Sequence, residues 1–418
     1  MISKGRLSCG IPVLAETVSH TQTVSLGLWI LKGSRDEQEN QKGFSHFLEH
    51  MFFKGTGGRT AFQIVQALDK VGGSVNAFTE KEQICVYCTL PKKHLRIAID
   101  VLTDMVFNSR LPEDEFSREK QVIINEIREY EDSPEERAYD RFLSRLWHDH
   151  PLARKITGEM EDIQNAEYAD LCRFYEKLLS PENLLISVAG NFNLGQVMEL
   201  LESGITLKPR KFVPVKRRPP SRKPSWEYDS ASFNQVQVYL GTSFPVFSTA
   251  AEFYHFFVLS TVMGESMSSR LFQNLRERSG LCYSIFSLRT FFSCTGLWCF
   301  YANTSPDLLS PLLKAMHGEI TALQKEPPSS EELKDAVSHL CGSMILSMED
   351  METRMKRMVR HYIQGETIHS VQESIAFLKN TKRENLEKLT GSLLGTENLN
   401  LLAFGTRNLH KRKKYSFI

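Results

Sequence analysis

His46-Phe47-Leu48-Glu49-His50 places two imidazoles four residues apart. On a helix, 3.6 residues per turn brings i and i+4 to one face. Two imidazoles there can grip one Zn2+. Glu49 sits beside the second histidine, close enough to reach a metal-bound water but badly placed to be a third ligand. The chemistry on offer is metal-assisted hydrolysis, with a carboxylate taking the proton of the attacking water.

A tetrahedral catalytic zinc takes a third protein ligand and keeps one position open. The candidates are Glu119 and Glu126, in the run Ser117–Glu129. This run reads as a helix opened by Pro112, with Val122, Ile123, Ile127 and Tyr130 as its buried stripe. The two carboxylates are seven residues, or two turns, apart and share a face. Carboxylates on a face that also carries apolar residues are costly to bury unless a cation compensates them. A metal would do so. A solvated acidic face is the alternative, and the helix alone does not choose between them.

His46-x-x-Glu49-His50, Glu119 and Glu126 together resemble the insulinase-like (pitrilysin) zinc peptidases, which carry the His-x-x-Glu-His order. Gly43–Thr56 follows the family almost continuously, and so does Gly72–Thr79. The likeness is greatest to the short members, the bacterial processing proteases and the β subunit of the mitochondrial processing peptidase. It covers nearly the whole chain. The resemblance implies one Zn2+ per chain on His46, His50 and Glu126, with Glu49 as general base. Glu119 becomes a supporting carboxylate of the catalytic site. Asn76, Ala77 and Phe78 are implied to supply a sheet edge that a peptide joins as an added strand.

The same resemblance extends to Ser268–Tyr283, where Arg276 and Tyr283 are implied to hold the substrate near the zinc. A guanidinium and a phenol can both donate to carbonyl oxygens and to a developing oxyanion. Glu136 and Asp140, four apart on one helix face, match acidic positions that accept an arginine just before the cleaved bond. Paired carboxylates suit a guanidinium. A plainer reading has Glu136 completing a capping box with Ser133 and Asp140 pairing with Arg137 or Arg141. The implied activity is endopeptidase cleavage of short or unfolded peptides by a homodimer. The alternative is a catalytically silent scaffold or partner subunit of a related peptidase complex, which has no need to keep this residue set.

The elements that must position these residues read as one plan used twice. Val24, Leu26, Leu28 and Ile30 alternate as a strand. The histidine helix follows, then a helix around 61–71, a strand over 83–90 and a helix from His94 to Asn108. In the second half Val236, Val238 and Leu240 alternate, followed by helices around 252–264 and 269–278. The opening strands stand 212 positions apart and the closing Glu-Asn pairs, Glu182-Asn183 and Glu397-Asn398, 215 apart. Near-equal offsets indicate an internal duplication. The expected architecture is α+β: two homologous sandwich domains closing as a clamshell around a chamber. The expected boundaries are 1–207 for the zinc domain, 208–225 for a basic, proline-rich linker and 226–418 for the inactive copy. That copy lacks His-x-x-Glu-His, and His255 on its equivalent helix reads as structural. Met344, Met348, Met351, Met355 and Met358 read as one face of a single long helix, a pliable core or domain interface.

With 418 residues the chain is too long for one ordinary core. Hydrophobic content of 41% and charged content of 24% are those of a globular protein. A net charge of +1 argues against nucleic acid or membrane as partner. The basic linker and the tail Lys411–Lys414 read as solvated. The N-terminus lacks an apolar signal core and an Arg-rich leader, the pattern of a bacterial cytoplasmic protein. The eight cysteines are scattered. Cys85 and Cys88 lie three apart on a strand and so face opposite sides.

Overall fold

The computed structural model describes residues 2–209, 216–221, 224–406 and 409. Residues 210–215 and 222–223 of the linker and the basic tail lie outside the described residues.

The first sheet has six strands: β1 (Ile2–Arg6), β2 (Pro12–Thr17), β3 (Thr23–Ile30), β4 (Ser74–Thr79), β5 (Ile84–Pro91) and β6 (Leu184–Gly190). Their order is β1-β2-β6-β3-β5-β4. The second sheet has β7 (Trp226–Ser230), β8 (Val236–Phe244), β9 (Ser284–Phe291), β10 (Gly296–Thr304) and β11 (Asn400–Gly405), in the order β7-β11-β8-β10-β9. Strip β1 from the first sheet and the two orders coincide. In each, one pair is parallel, β2 with β6 and β7 with β11, and the other pairs are antiparallel. The expected duplication and α+β class are therefore written into the strand pairing.

Period-2 alternation gives each strand two faces, and on the inner strands both are buried. On β3, Val24, Leu26, Leu28 and Ile30 enter one core, while Trp29 enters another. Cys88 and Cys85 on β5 divide the same way, as expected, and both are free thiols. The first core holds the helices Phe44–Met51, Leu95–Phe107 and Glu113–Asp132.

The opposite face of each sheet is covered by a helix from the other half of the chain. Met351–Ile363 lays Met355, Met358 and Val359 on Trp29, Tyr87 and Leu185 of the first sheet. Pro134–Trp147 lays Phe142, Leu143 and Trp147 in one core with Tyr239, Leu297 and Phe404 of the second. Two compact units result. The first takes Ser347–Ser370 from the second half, and the second takes Tyr130–Ala153 from the first. Neither unit is a continuous stretch of chain.

Two expectations are corrected. The buried stripe of the acidic helix is Phe116, Ile123, Ile124 and Ile127; Val122 and Tyr130 are exposed. The stripe runs 116-119-123-126-127, and Val122 lies off it. The methionine stripe does not lie on one helix. Ser330–Ser347 ends, and Asp350 caps Met351–Ile363 by accepting from the Thr353 amide at 2.7 Å. Met344 packs on the second unit's core, whereas Met355 and Met358 pack on the first's. No described helix is long and apolar enough to cross a membrane.

Candidate metal centre

The histidine helix buries Phe44, Phe47, Leu48 and Met51, the i, i+3, i+4, i+7 set of an amphipathic face. Its N-terminus is held by a residue that sequence reasoning missed. Glu37 is buried, and its two carboxylate oxygens accept from the Gly43 amide at 2.9 Å and the Ser45 amide at 2.7 Å. A carboxylate there also suits the helix dipole. Burial pushes the Glu37 carboxyl up to about 7, against the lowering effect of those amides and of Arg154. Gly43 has φ +84°, and a Cβ there would come within 2.5 Å of the Thr157 carbonyl oxygen. Only glycine fits. Nothing in the sequence marks Glu37, since the cap is six to eight residues from its donors.

The acidic helix Glu113–Asp132 docks on the histidine helix through Phe116, whose ring stacks on Phe47 at 4.7 Å with 1° between the planes. This registers Glu119 and Glu126 against the imidazoles. Glu126 Oε1 is 3.5 Å from His46 Nε2, and its Oε2 is 3.6 Å from His50 Nε2. The ligand atoms of His46, His50 and Glu126 all lie within 4.8 Å of one another. Zinc bonds of 2.0–2.1 Å put neighbouring ligand atoms of a tetrahedron about 3.3 Å apart. The two imidazole–carboxylate spacings are close to that edge and long for direct hydrogen bonds. This donor set fits zinc. Among the described residues it is the one group of three or more His, Cys, Asp or Glu side chains placed to hold a metal.

The two other carboxylates have different surroundings. Glu119 Oε2 is 3.0 Å from His50 Nδ1, and its Oε1 is 2.6 Å from Lys54 Nζ. Because an ionised carboxylate only accepts, the proton of this bond sits on His50 Nδ1, which leaves Nε2 as the ring atom that faces Glu126. Burial raises the Glu119 carboxyl, but His50 and Lys54 outweigh it and hold the group below the usual range. The nearby His46 imidazole lowers Glu126, against burial. Glu49 is half-buried, and no hydrogen bond or ion pair engages its carboxylate among the described residues. Glu119 is clamped; Glu49 is not.

Asn76, Ala77 and Phe78 lie on β4, the edge strand of the first sheet, paired on one side with β5. Thr79 Oγ1 donates to the Ser45 carbonyl at 3.3 Å, tying this edge to the histidine helix. In the second unit, Phe272–Arg278 is a wide i→i+5 turn that brings Arg276 over the Phe272 ring at 4.6 Å and the Tyr283 ring at 5.6 Å. Tyr283 is 75% exposed. Arg276 and Tyr283 are thus neighbours. Glu136 and Asp140 lie on the helix Pro134–Trp147, whose cap is Ser133 Oγ accepting from the Glu136 amide. Of the arginines offered as partners for Asp140, Arg137 lies over the Phe233 and Phe404 rings and Arg141 is 3.6 Å from Asp229. Cys282 is buried, and burial pushes its thiol up to about 11. It is a packing residue. His255 is half-buried and belongs to no such group.

Comparison with known proteins gives the family. Residues 12–159 match the insulinase (peptidase family M16) model, and residues 165–340 match the peptidase M16 inactive domain. An uncharacterized zinc protease of Bacillus subtilis is 32% identical over 85% of this chain and 87% of its own length. One of Mycobacterium leprae is 30% identical over 94% of this chain and 89% of its own. A Pseudomonas fluorescens structure described as a peptidase M16 inactive domain superposes with a TM-score of 0.90 at 17% identity, covering 97% of this chain and 98% of that one. The chain belongs to the insulinase family of peptidases, M16.

Proposed function

We propose that this protein is a zinc-dependent endopeptidase that cleaves short or unfolded peptides. The observation that carries the reading is the convergence of His46, His50 and Glu126 beside an unengaged Glu49. Bound by those three side chains, zinc would supply Lewis acidity that makes water a nucleophile near neutral pH. Glu49 accepts the proton of the attacking water and delivers it to the leaving amine. Glu119 keeps His50 in the ligating tautomer. The edge of β4, at Asn76, Ala77 and Phe78, reads the peptide backbone as an added strand. Arg276 and Tyr283, by family likeness, donate to the substrate carbonyl. Glu136 and Asp140 receive an arginine next to the cut. The working assembly is a homodimer in a bacterial cytoplasm. A silent scaffold is the weaker reading, because it has no use for an oriented ligand set with an open base.

The test uses purified protein and unstructured peptides, with products read by mass spectrometry. Glu49→Gln is expected to keep one zinc per chain and lose ~10²–10⁴-fold in rate, the usual worth of general base catalysis. His50→Ala is expected to lose metal as well. Undiminished cleavage by Glu49→Gln, or after full chelation, would refute the mechanism.

A further inference from the structure

We propose that Lys54 is a positioning residue of the zinc site, holding Glu119 so that His50 faces the metal. The inference rests on the ligand assignment above and adds a residue to it. After Met51 the chain continues in tight turns, with the Phe53 amide bonded to the His50 carbonyl at 3.2 Å and the Lys54 amide to Met51 at 3.1 Å. This keeps Lys54, four residues after His50, on the histidine side. Gly55 then turns the chain away at φ +119°, a conformation that favours glycine.

The geometry is one carboxylate with one partner per oxygen. Lys54 Nζ takes Glu119 Oε1 at 2.6 Å, and His50 Nδ1 takes Oε2 at 3.0 Å. Surface ion pairs are worth little, but this one is asymmetric. The Glu119 side chain is 7% exposed and that of Lys54 27%. Removing Lys54 leaves a buried carboxylate with one anchor, able to swing about its terminal torsion and carry the imidazole with it. Partners of metal ligands that are lost in this way typically cost 10–100-fold in metal affinity. The rival account is that Lys54 only staples the turn after the helix and stabilises the fold.

The experiment compares metal-stripped parent, Lys54→Met and Lys54→Arg. Zinc alone is titrated in competition with a chromophoric chelator, and the Tm of each stripped protein is recorded. Lys54→Met is expected to bind zinc roughly 10–100-fold more weakly, and Lys54→Arg, which restores a cation to Glu119, to recover most of the loss. Parent affinity in Lys54→Met, with or without a lower Tm, makes Lys54 a fold staple and overturns the proposal while leaving the ligand assignment standing. A parent protein that binds no zinc overturns both.

Discussion

The helices Phe44–Met51 and Ala250–Ser260 occupy equivalent places, each following the central strand of its sheet, β3 or β8. The first carries two imidazoles and a carboxylate, and packs against a second helix that brings two more carboxylates. The second carries Phe253, Phe256 and Phe257 in an aromatic cluster with Phe244, Phe291 and Trp298. Its one histidine, His255, is pushed toward the neutral form by burial. Partly buried charge in the first unit has to be balanced residue by residue, by Lys54 on Glu119 and by backbone amides on Glu37. The second unit fills the equivalent volume with rings, which need no such balancing and gain from edge-to-face contact. The sheet topology tolerates either filling, so the site is an addition to the fold and not a condition of it.

The largest effect is expected from separating the halves. Residues 1–207 alone lack Met351–Ile363 and expose Trp29, Tyr87 and Leu185. The fragment is expected to aggregate and to show no measurable cleavage. Co-expression with residues 208–418 is expected to restore activity. A soluble fragment cleaving at the full-length rate would show that the exchanged helix and the second unit are both dispensable.

Next in size is Tyr283→Phe, which tests whether the metal-free unit acts in catalysis. Loss of one oxyanion donor is worth on the order of 10² in kcat. Zinc content should stay at the parent value. Parent turnover in this variant would return Tyr283 to the surface. Smaller again is Asp140→Asn on the helix that the first half lends to the second unit. A preference for arginine near the cut is expected to erode by about tenfold, a typical loss for one charge-assisted hydrogen bond, while neutral peptides are cut as before. An unchanged cleavage map removes the arginine pocket.

The smallest effect concerns Glu37, which has no counterpart role in the second unit's helix, where Thr249 accepts from the Glu252 amide. Burial raises the folded-state carboxyl from 4.5 to about 7. The folded state therefore holds the proton more tightly than the unfolded state does, and stability falls as pH rises from about 4.5 to about 7. Below that window both states are protonated, and above it the loss is complete. Glu37→Gln is expected to flatten Tm against pH across this window, measured by calorimetry on metal-stripped protein. An identical pH profile in the variant would mean that Glu37 stays ionised throughout.

Much of the site was legible because i, i+4 histidines and a seven-residue carboxylate spacing are helix geometry. What spacing could not do was tell Glu119 from Glu126, since both share one face. The distinction is tertiary: Glu126 meets both Nε2 atoms, and Glu119 meets Nδ1 and Lys54. Lys54 itself was readable as i+4 from His50, and Asp350 as a cap that divides the methionine stripe. The exchange of helices was not readable. Periodicity says which face of a helix is apolar, but Met355 and Phe142 carry no mark of the sheet they will cover. Val122 was misread because apolar type was weighed above angular position; Tyr130 keeps the stripe's angle but is exposed near the end of the helix.

The exchange also sets a timetable for synthesis. The last strand of the first sheet, β6, ends at Gly190, and the helix that covers its open face begins at Met351. At 5–20 residues per second the ribosome needs roughly 10–30 s to deliver it. For that interval the nascent first sheet presents Trp29, Leu185 and their neighbours to the cell. The helix Pro134–Trp147 waits in the same way for β8 and its partners. Chaperone occupancy on arrested chains should therefore peak after residue 190 and fall only once residue 363 has cleared the exit tunnel.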